Sequence, residues 1–265
     1  NNGRPSAKKG NDSHPYPYRT TLQQKRSIIH FDPEAEVRLN ISEEDRPEIS
    51  GGGLIGTYRL DHLHFHWQSE HTMDGYRFPL ELHLVHYKSV FGSVAEALQH
   101  IHGVAVFAVL FELSPDDDEE FEPLLNIIET LQTRVNTPKP LRQFSVKNFL
   151  PRNIAGFYRY EGSLTTPDCN EGILWTVFTN TIPISPEQVR IFEEIRTNHN
   201  KALRQNYRSL QPINNRKVYV KISPIRENTM YHFSGSTPMS IPTLHLISIA
   251  VLLIYLKKIL IQSEI

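Results

Sequence analysis

Stretches that alternate with a period of two, rich in branched and aromatic side chains, restrict this chain to a fold built mainly from strands. Glu36 to Ile41 reads EVRLNI, polar and apolar in turn, as a half-buried strand does. Thr57 to Trp67 and Leu80 to Tyr87 alternate in the same way, and Val104 to Leu113 is a continuous apolar run, the pattern of a buried strand. Gly51, Gly52 and Gly53 mark a turn before the second of these segments. Ile173 to Thr181 reads as another strand, and Lys217 to Ile222 closes the globular part. Helical signals are few. Phe121 to Thr133 follows the acidic run Asp116 to Glu120, which suits a helix N-terminus and lacks the alternating ligands and central Gly of a calcium loop. Ser185, Pro186 and Glu187 open a short helix to about Asn198, with Ser as cap and Pro at the first position. Many strands and few helices imply a mostly β domain.

With 265 residues the chain can bury one sizeable core. Basic and acidic residues nearly balance, 28 against 29, so net charge gives no support to nucleic-acid binding. The single cysteine, Cys169, excludes an internal disulfide and a four-thiolate zinc site. Thirteen histidines make metal chemistry worth testing. Residues 1–35 are polar and read as a loop or extension, and 227–240 as a linker. Ile241 to Leu256 is apolar apart from Thr243, His245 and Ser248. As a helix it would span about 24 Å, short of the ~30 Å hydrocarbon core. Lys257, Lys258 and Ile259 to Ile261 could extend it. The segment 241–261 therefore reads as a membrane span or, with Ser234, Gly235 and Ser236 upstream, as a lipid-anchor signal. With the lysines on the cytoplasmic side the main domain faces away from the cytosol, extracellular or lumenal.

The segment Leu63-His64-Phe65-His66-Trp67 places two histidines two apart, on one face of a strand. His83 lies in Glu81-Leu82-His83-Leu84-Val85-His86, where Glu81, His83 and Val85 share a face. If the two strands pair antiparallel, His83 sits beside His64 and His66. Three neutral imidazoles and one open position make a catalytic zinc site. Spacing alone also fits a cupin-like barrel or plain surface histidines.

The longer text narrows the choice. Leu63 to His86 reads LHFHWQSEHTMDGYRFPLELHLVH and resembles the zinc-binding region of alpha-class carbonic anhydrases. Gly162 to Pro167 followed by Trp175, Asn206-Tyr207-Arg208 through Asn215-Arg216-Lys217-Val218, and Ser50 to Leu60 resemble further blocks of that family in order. The resemblance covers roughly residues 36–226. It implies a single domain on a large twisted, mainly antiparallel sheet with short peripheral helices. It also implies reversible hydration of carbon dioxide to bicarbonate and a proton by a hydroxide on zinc. His64, His66 and His83 would hold the ion. Thr165 would accept a hydrogen bond from the hydroxide and donate its own to Glu70. Glu81, His62 and the main-chain carbonyl of Asn206 would orient the ligands, with His71 and Tyr160 as buried support. Val85, Val106, Leu164 and Trp175 would form the wall against carbon dioxide, and Thr166 would contact bicarbonate.

The chain departs from the family pattern at several points. Asn1-Asn2-Gly3, which the family precedes with a long segment, stands first, so the early strands are expected to be missing. Arg4 to Ala35 then intervene where the family runs directly into a strand. The shuttle histidine expected after Asn-Asn-Gly is replaced by Arg4, and Ala35 stands at the far end of the insertion; His14 and His30 are weaker candidates for the role. His62 stands where the family usually has Gln. Only Gln68 separates Trp67 from Ser69, a shortened turn. Cys169 stands where secreted and membrane-bound members carry half of a disulfide, a reading that fits an extracellular setting. Retention of all three histidines, Thr165 and Glu70 favours an enzyme over the alternatives, a non-catalytic carbonic-anhydrase-related binding module or a defective fragment.

Overall fold

The sequence's strand periodicity is realised in one large sheet. The structure is a computed structural model and describes residues 23–24, 27–32, 36–132, 139–141, 144–197 and 201–222. In chain order its strands are β1 (Gln23–Gln24), β2 (Ser27–Asp32), β3 (Glu36–Ile41), β4 (Glu48–Gly51), β5 (Leu54–Trp67), β6 (Thr72–Met73), β7 (Tyr76–Arg77) and β8 (Leu80–Lys88). There follow β9 (Val104–Leu113), β10 (Lys139–Leu141), β11 (Phe144–Ser145), β12 (Phe157–Ser163), β13 (Glu171–Phe178), β14 (Ile182–Ile184) and β15 (Tyr219–Lys221). The α-helices are α1 (Val94–Ala97), α2 (Glu122–Leu131) and α3 (Pro186–Glu193).

The main sheet runs β10-β2-β3-β5-β8-β9-β13-β12-β15, with β4 beside β5 and β14 beside β9. Pairing is antiparallel except where β13 and β14 run parallel to β9. The parallel neighbours explain the unbroken apolar text of β9, whose residues from Val104 to Phe111 are all buried. The expected mostly β, mainly antiparallel architecture is observed.

Successive side chains on β8 and β9 alternate between two apolar cores, one on each face of the sheet. Leu82, Leu84, Val109 and Phe111 join Leu63, Phe65 and Trp67 of β5 beneath α2 and α3. Val85, Val106, Ala108 and Leu110 join Trp175 and Val177 on the other face. Phe65 and Trp67 have no exposed surface; burying a Phe of this kind stabilises by about 1.5–3 kcal/mol. Phe65 packs its ring at 5.2 Å from Phe192 of α3 and 6.0 Å from Phe121 at the start of α2.

The alternation of β5 is broken once. Its pairing with β8 shifts register between Leu60 and His62, a bulge that lets two residues oppose one. The bulge reverses parity, so that Tyr58 and Leu60 face the same core as Leu63, Phe65 and Trp67. His62, His64 and His66 are left on the opposite face. Past the bulge the register is regular, from His62↔Val85 to Trp67↔Leu80. The shortened connection after Trp67 is closed by Gln68 and Ser69, whose N–H groups donate to the carbonyls of Pro79 and Phe78 at 2.8 Å each.

Several boundaries differ from the sequence reading. Residues 1–35 read as loop, yet Gln23–Gln24 and Ser27–Asp32 run as strands, the latter against β3 from Ser27↔Ile41 to Asp32↔Glu36. α3 has the expected cap: Ser185 Oγ accepts the Gln188 N–H at 3.1 Å, and Gln188 Oε1 accepts that of Ser185 at 3.3 Å. It ends at Glu193 rather than near Asn198 because the chain turns there into a bridge between Arg196 and Ala202. The apolar segment 241–261 lies outside the described residues, as do Arg4, His14 and Ala35 and the side chain of His30. Among the described residues no helix is long and apolar enough to cross a membrane.

Candidate metal centre

Cross-strand register brings the three sequence-selected histidines together. His64 of β5 stands directly opposite His83 of β8, and His66 follows two residues on, on the same face. His83 Nδ1 lies 3.2 Å from His64 Nε2. The ring centroids of His66 are 5.0 Å from those of His64 and 4.6 Å from those of His83. One nitrogen from each ring falls within 4.8 Å of the others. All three are buried, at 8 %, 2 % and 1 % exposure in chain order.

The outward nitrogens of two rings are tied down, which fixes their tautomers. His66 Nδ1 lies 2.9 Å from the carbonyl of Asn206, an acceptor only, so Nδ1 carries the proton and Nε2 a lone pair. That Nε2 is buried and has no hydrogen-bond partner among the described residues. His83 Nε2 lies 2.6 Å from Glu81 Oε1, which leaves the lone pair on Nδ1. Burial lowers the pKa of His83 against the opposing pull of Glu81, and burial, followed by the neighbouring His83 and His66, lowers that of His64 well below its ordinary value. Neutral imidazoles with inward lone pairs and a buried orphan nitrogen fit a zinc ion.

Glu81 serves two rings. The same Oε1 is 2.6 Å from His71 Nδ1, Oε2 accepts the His71 main-chain N–H at 2.8 Å, and His71 Nε2 is 2.7 Å from the Tyr160 hydroxyl. Burial alone would raise the Glu81 pKa; His71 and His83 outweigh it and hold the carboxyl well below the usual range. Asn206 does more than its carbonyl suggests. Its side chain accepts the Trp67 N–H at 2.8 Å and donates to the Phe65 carbonyl at 3.0 Å, bridging β5 on either side of His66.

Glu70 and Thr165 line one small cavity, together with His71, Tyr160, Ser163 and Arg208. Glu70 Oε1 accepts the Arg208 main-chain N–H at 2.8 Å. Its Oε2 is 3.6 Å from His66 Nε2 and 3.9 Å from His83 Nδ1 and accepts no hydrogen bond among the described residues. No hydrogen bond joins Thr165 to Glu70 among the described residues; the two are neighbours across the cavity.

The apolar wall follows from register. Val85 is two residues beyond His83 on the same face, Val106 of β9 is its cross-strand partner, and Trp175 of β13 is the partner of Val106. Trp175 meets the His83 ring edge-on at 4.8 Å and donates from Nε1 to the Ser163 carbonyl at 3.0 Å. Leu164 is half-buried against this core; Thr166 is half-buried, and its carbonyl accepts the Cys169 N–H at 2.8 Å. Cys169 carries a free, half-buried thiol.

His62 lies beside His64 on the same face. Its Nδ1 faces Asp61 Oδ2 at 2.8 Å and Arg38 Nη2 at 3.0 Å, and its ring stacks on His64 at 5.3 Å with 26° between planes. Asp61 and Arg38 were not selected from the sequence. The signal available was the charged Asp61 in a strand otherwise alternating toward a buried face.

The match to known proteins agrees with this arrangement. The eukaryotic-type carbonic anhydrase family matches over residues 11–222. The chain is 36% identical over 226 residues to putative carbonic anhydrase 5 of Caenorhabditis elegans, covering 77% of this chain and 71% of that one. It is 36% identical over 193 residues to carbonic anhydrase 6 of Bos taurus, covering 69% and 59%. Against mitochondrial carbonic anhydrase 5A of Homo sapiens it is 34% identical over 192 residues, covering 68% and 62%. The chain belongs to the eukaryotic-type carbonic anhydrase family.

Proposed function

We propose that this chain catalyses the reversible hydration of carbon dioxide to bicarbonate and a proton, with His64, His66 and His83 as zinc ligands. The observation that carries the reading is the convergence of one nitrogen from each ring, with that of His66 buried and orphaned. Zinc held by three neutral imidazoles lowers the pKa of a water at its open position to about 7, which supplies hydroxide at neutral pH. Glu81 and the Asn206 carbonyl keep the lone pairs of His83 and His66 pointed inward. Thr165 accepts a hydrogen bond from the attacking oxygen and turns its lone pair toward the substrate, a positioning effect. Glu70, on the same cavity, accepts a hydrogen bond from the Thr165 hydroxyl once that hydroxyl swings toward it. Val85, Val106, Leu164 and Trp175 hold the apolar substrate against His83, and Thr166 contacts the product.

The test is carbon dioxide hydration by the purified chain with and without zinc, beside His83→Ala. Activity that requires zinc and disappears in the variant is expected; a folded, zinc-loaded and inactive protein would sink the reading. That outcome would favour a metal-holding, non-catalytic module, for which the missing Thr165–Glu70 hydrogen bond speaks. We further propose that segment 241–261 attaches the chain to a membrane, with the domain outside the cytosol. Release of the chain into the soluble fraction on deleting 241–265 is the expected result, and recovery of the undeleted chain in that fraction would overturn it.

A further inference from the structure

A set of charged residues with no part in the reaction surrounds His62. Asp61 Oδ2 lies 2.8 Å from His62 Nδ1 and 3.6 Å from Arg38 Nη2, while Oδ1 lies 3.1 Å from Arg46 Nη2. Arg38 Nη2 is also 3.0 Å from His62 Nδ1, and its Nε donates to Asn40 Oδ1 at 3.0 Å. Arg46 is anchored in turn by the Ile41 carbonyl at 3.3 Å and the Tyr87 hydroxyl at 3.2 Å. Arg38 is the cross-strand partner of His64 on β3. The bulge of β5 turns Asp61 and His62 toward this same region.

We propose that Asp61 and Arg38 are positioning residues for the metal centre, holding the His62 ring flat against His64 and so fixing the plane in which His64 presents Nε2. The proposal rests on the reading of His64, His66 and His83 as metal ligands. His66 and His83 are aimed by a carbonyl and a carboxylate at their second nitrogens. His64 is aimed by a ring face. Two rings at 5.3 Å and 26° lie within the range where offset stacking is attractive. Such a stack can orient its partner only if it is itself held. Asp61 and Arg38 grip His62 at Nδ1, and the ring is only 6 % exposed. Because Nδ1 has one site for a proton or a lone pair, it donates to Asp61 or accepts from Arg38 at any moment. Either bond leaves the ring in one plane.

The test uses the full chain, with zinc and cobalt affinities from chelator competition, the visible spectrum of the cobalt form, and melting of the metal-free protein. Asp61→Ala is expected to weaken metal binding roughly tenfold and to shift the cobalt bands, while Asp61→Asn, whose amide oxygen still accepts from His62, stays within about threefold of the parent. His62→Ala is expected to lose at least as much as Asp61→Ala, and adding Asp61→Ala in that background to change affinity less than about twofold, as residues acting through one contact do. Parent-like affinity and cobalt bands in Asp61→Ala overturn the proposal, as does an equal loss on adding Asp61→Ala to His62→Ala. Should Asp61→Ala fail to fold, parent-like affinity and spectrum in His62→Ala overturn it alone. A parent chain that binds neither metal brings down the functional reading as well; a parent that binds both, with unresponsive variants, brings down only this proposal.

Discussion

Glu81 Oε1 lies 2.6 Å from Nε2 of His83, and that contact decides which imidazole nitrogen is left facing the metal centre. Replacing the carboxylate by an amide keeps the shape and removes the charge. Glu81→Gln is expected to weaken zinc binding by about 10–100-fold, measured by chelator competition. Glu81→Ala strands His71 and His83 in the interior and is expected to destabilise the metal-free protein by about 3 kcal/mol or more, measured by urea unfolding.

Thr165 is half-buried at the edge of the cavity shared with Glu70. Thr165→Val keeps its volume and deletes the hydroxyl. Under the proposed mechanism kcat/KM for hydration falls by about 100-fold, with zinc content unchanged. A variant as fast as the parent would remove Thr165 from the mechanism.

His86 has no exposed surface, and burial lowers its pKa to about 3. The unfolded chain takes up a proton here near pH 6.5, while the folded one does not until about pH 3. The unfolded state therefore binds more protons in that window, and stability falls as pH falls, by about 1.4 kcal/mol per unit from this group. Urea midpoints of the metal-free parent and His86→Gln between pH 7.5 and 5 check this. The variant should show the shallower slope.

Gly103 packs against the end of α1. A Cβ there would stand 2.0 Å from the Ala97 carbonyl oxygen and 2.9 Å from that of His100, main-chain atoms that cannot rotate away. Gly103→Ala is expected to lower stability by about 2 kcal/mol or more through this overpacking, read as a fall in the melting temperature.

The candidate metal centre was legible because the spacing of its residues is periodic. His64 and His66 are two apart in a strand, and His83 shares a face with Glu81. The antiparallel pairing that joins the two groups was a condition in the sequence and an observed register in the structure. What escaped is what period two cannot express. The bulge at Asp61 carries no Gly or Pro to announce it, yet it reverses the faces of Tyr58 and Leu60 relative to Leu63. With it went the roles of Asp61 and Arg38. Long-range main-chain contacts were equally silent: the Arg208 N–H on Glu70 is a group every residue but proline carries. The strand Ser27–Asp32 was missed because polar, proline-containing text surrounds it, and cross-strand pairing with β3 overrides that local signal.

The bond from His66 to the Asn206 carbonyl spans 140 residues of sequence. Ribosomal synthesis thus completes the three imidazoles early and the group that aims His66 much later. At about 5–20 residues per second, the interval between His83 and Asn206 is roughly 6–25 s. During that time a nascent chain holds every proposed zinc ligand but not the bridge that anchors β5 around His66. In the proposed zinc form, tight metal retention is accordingly a late event, and it reports that the segment around Asn206 has already docked on β5.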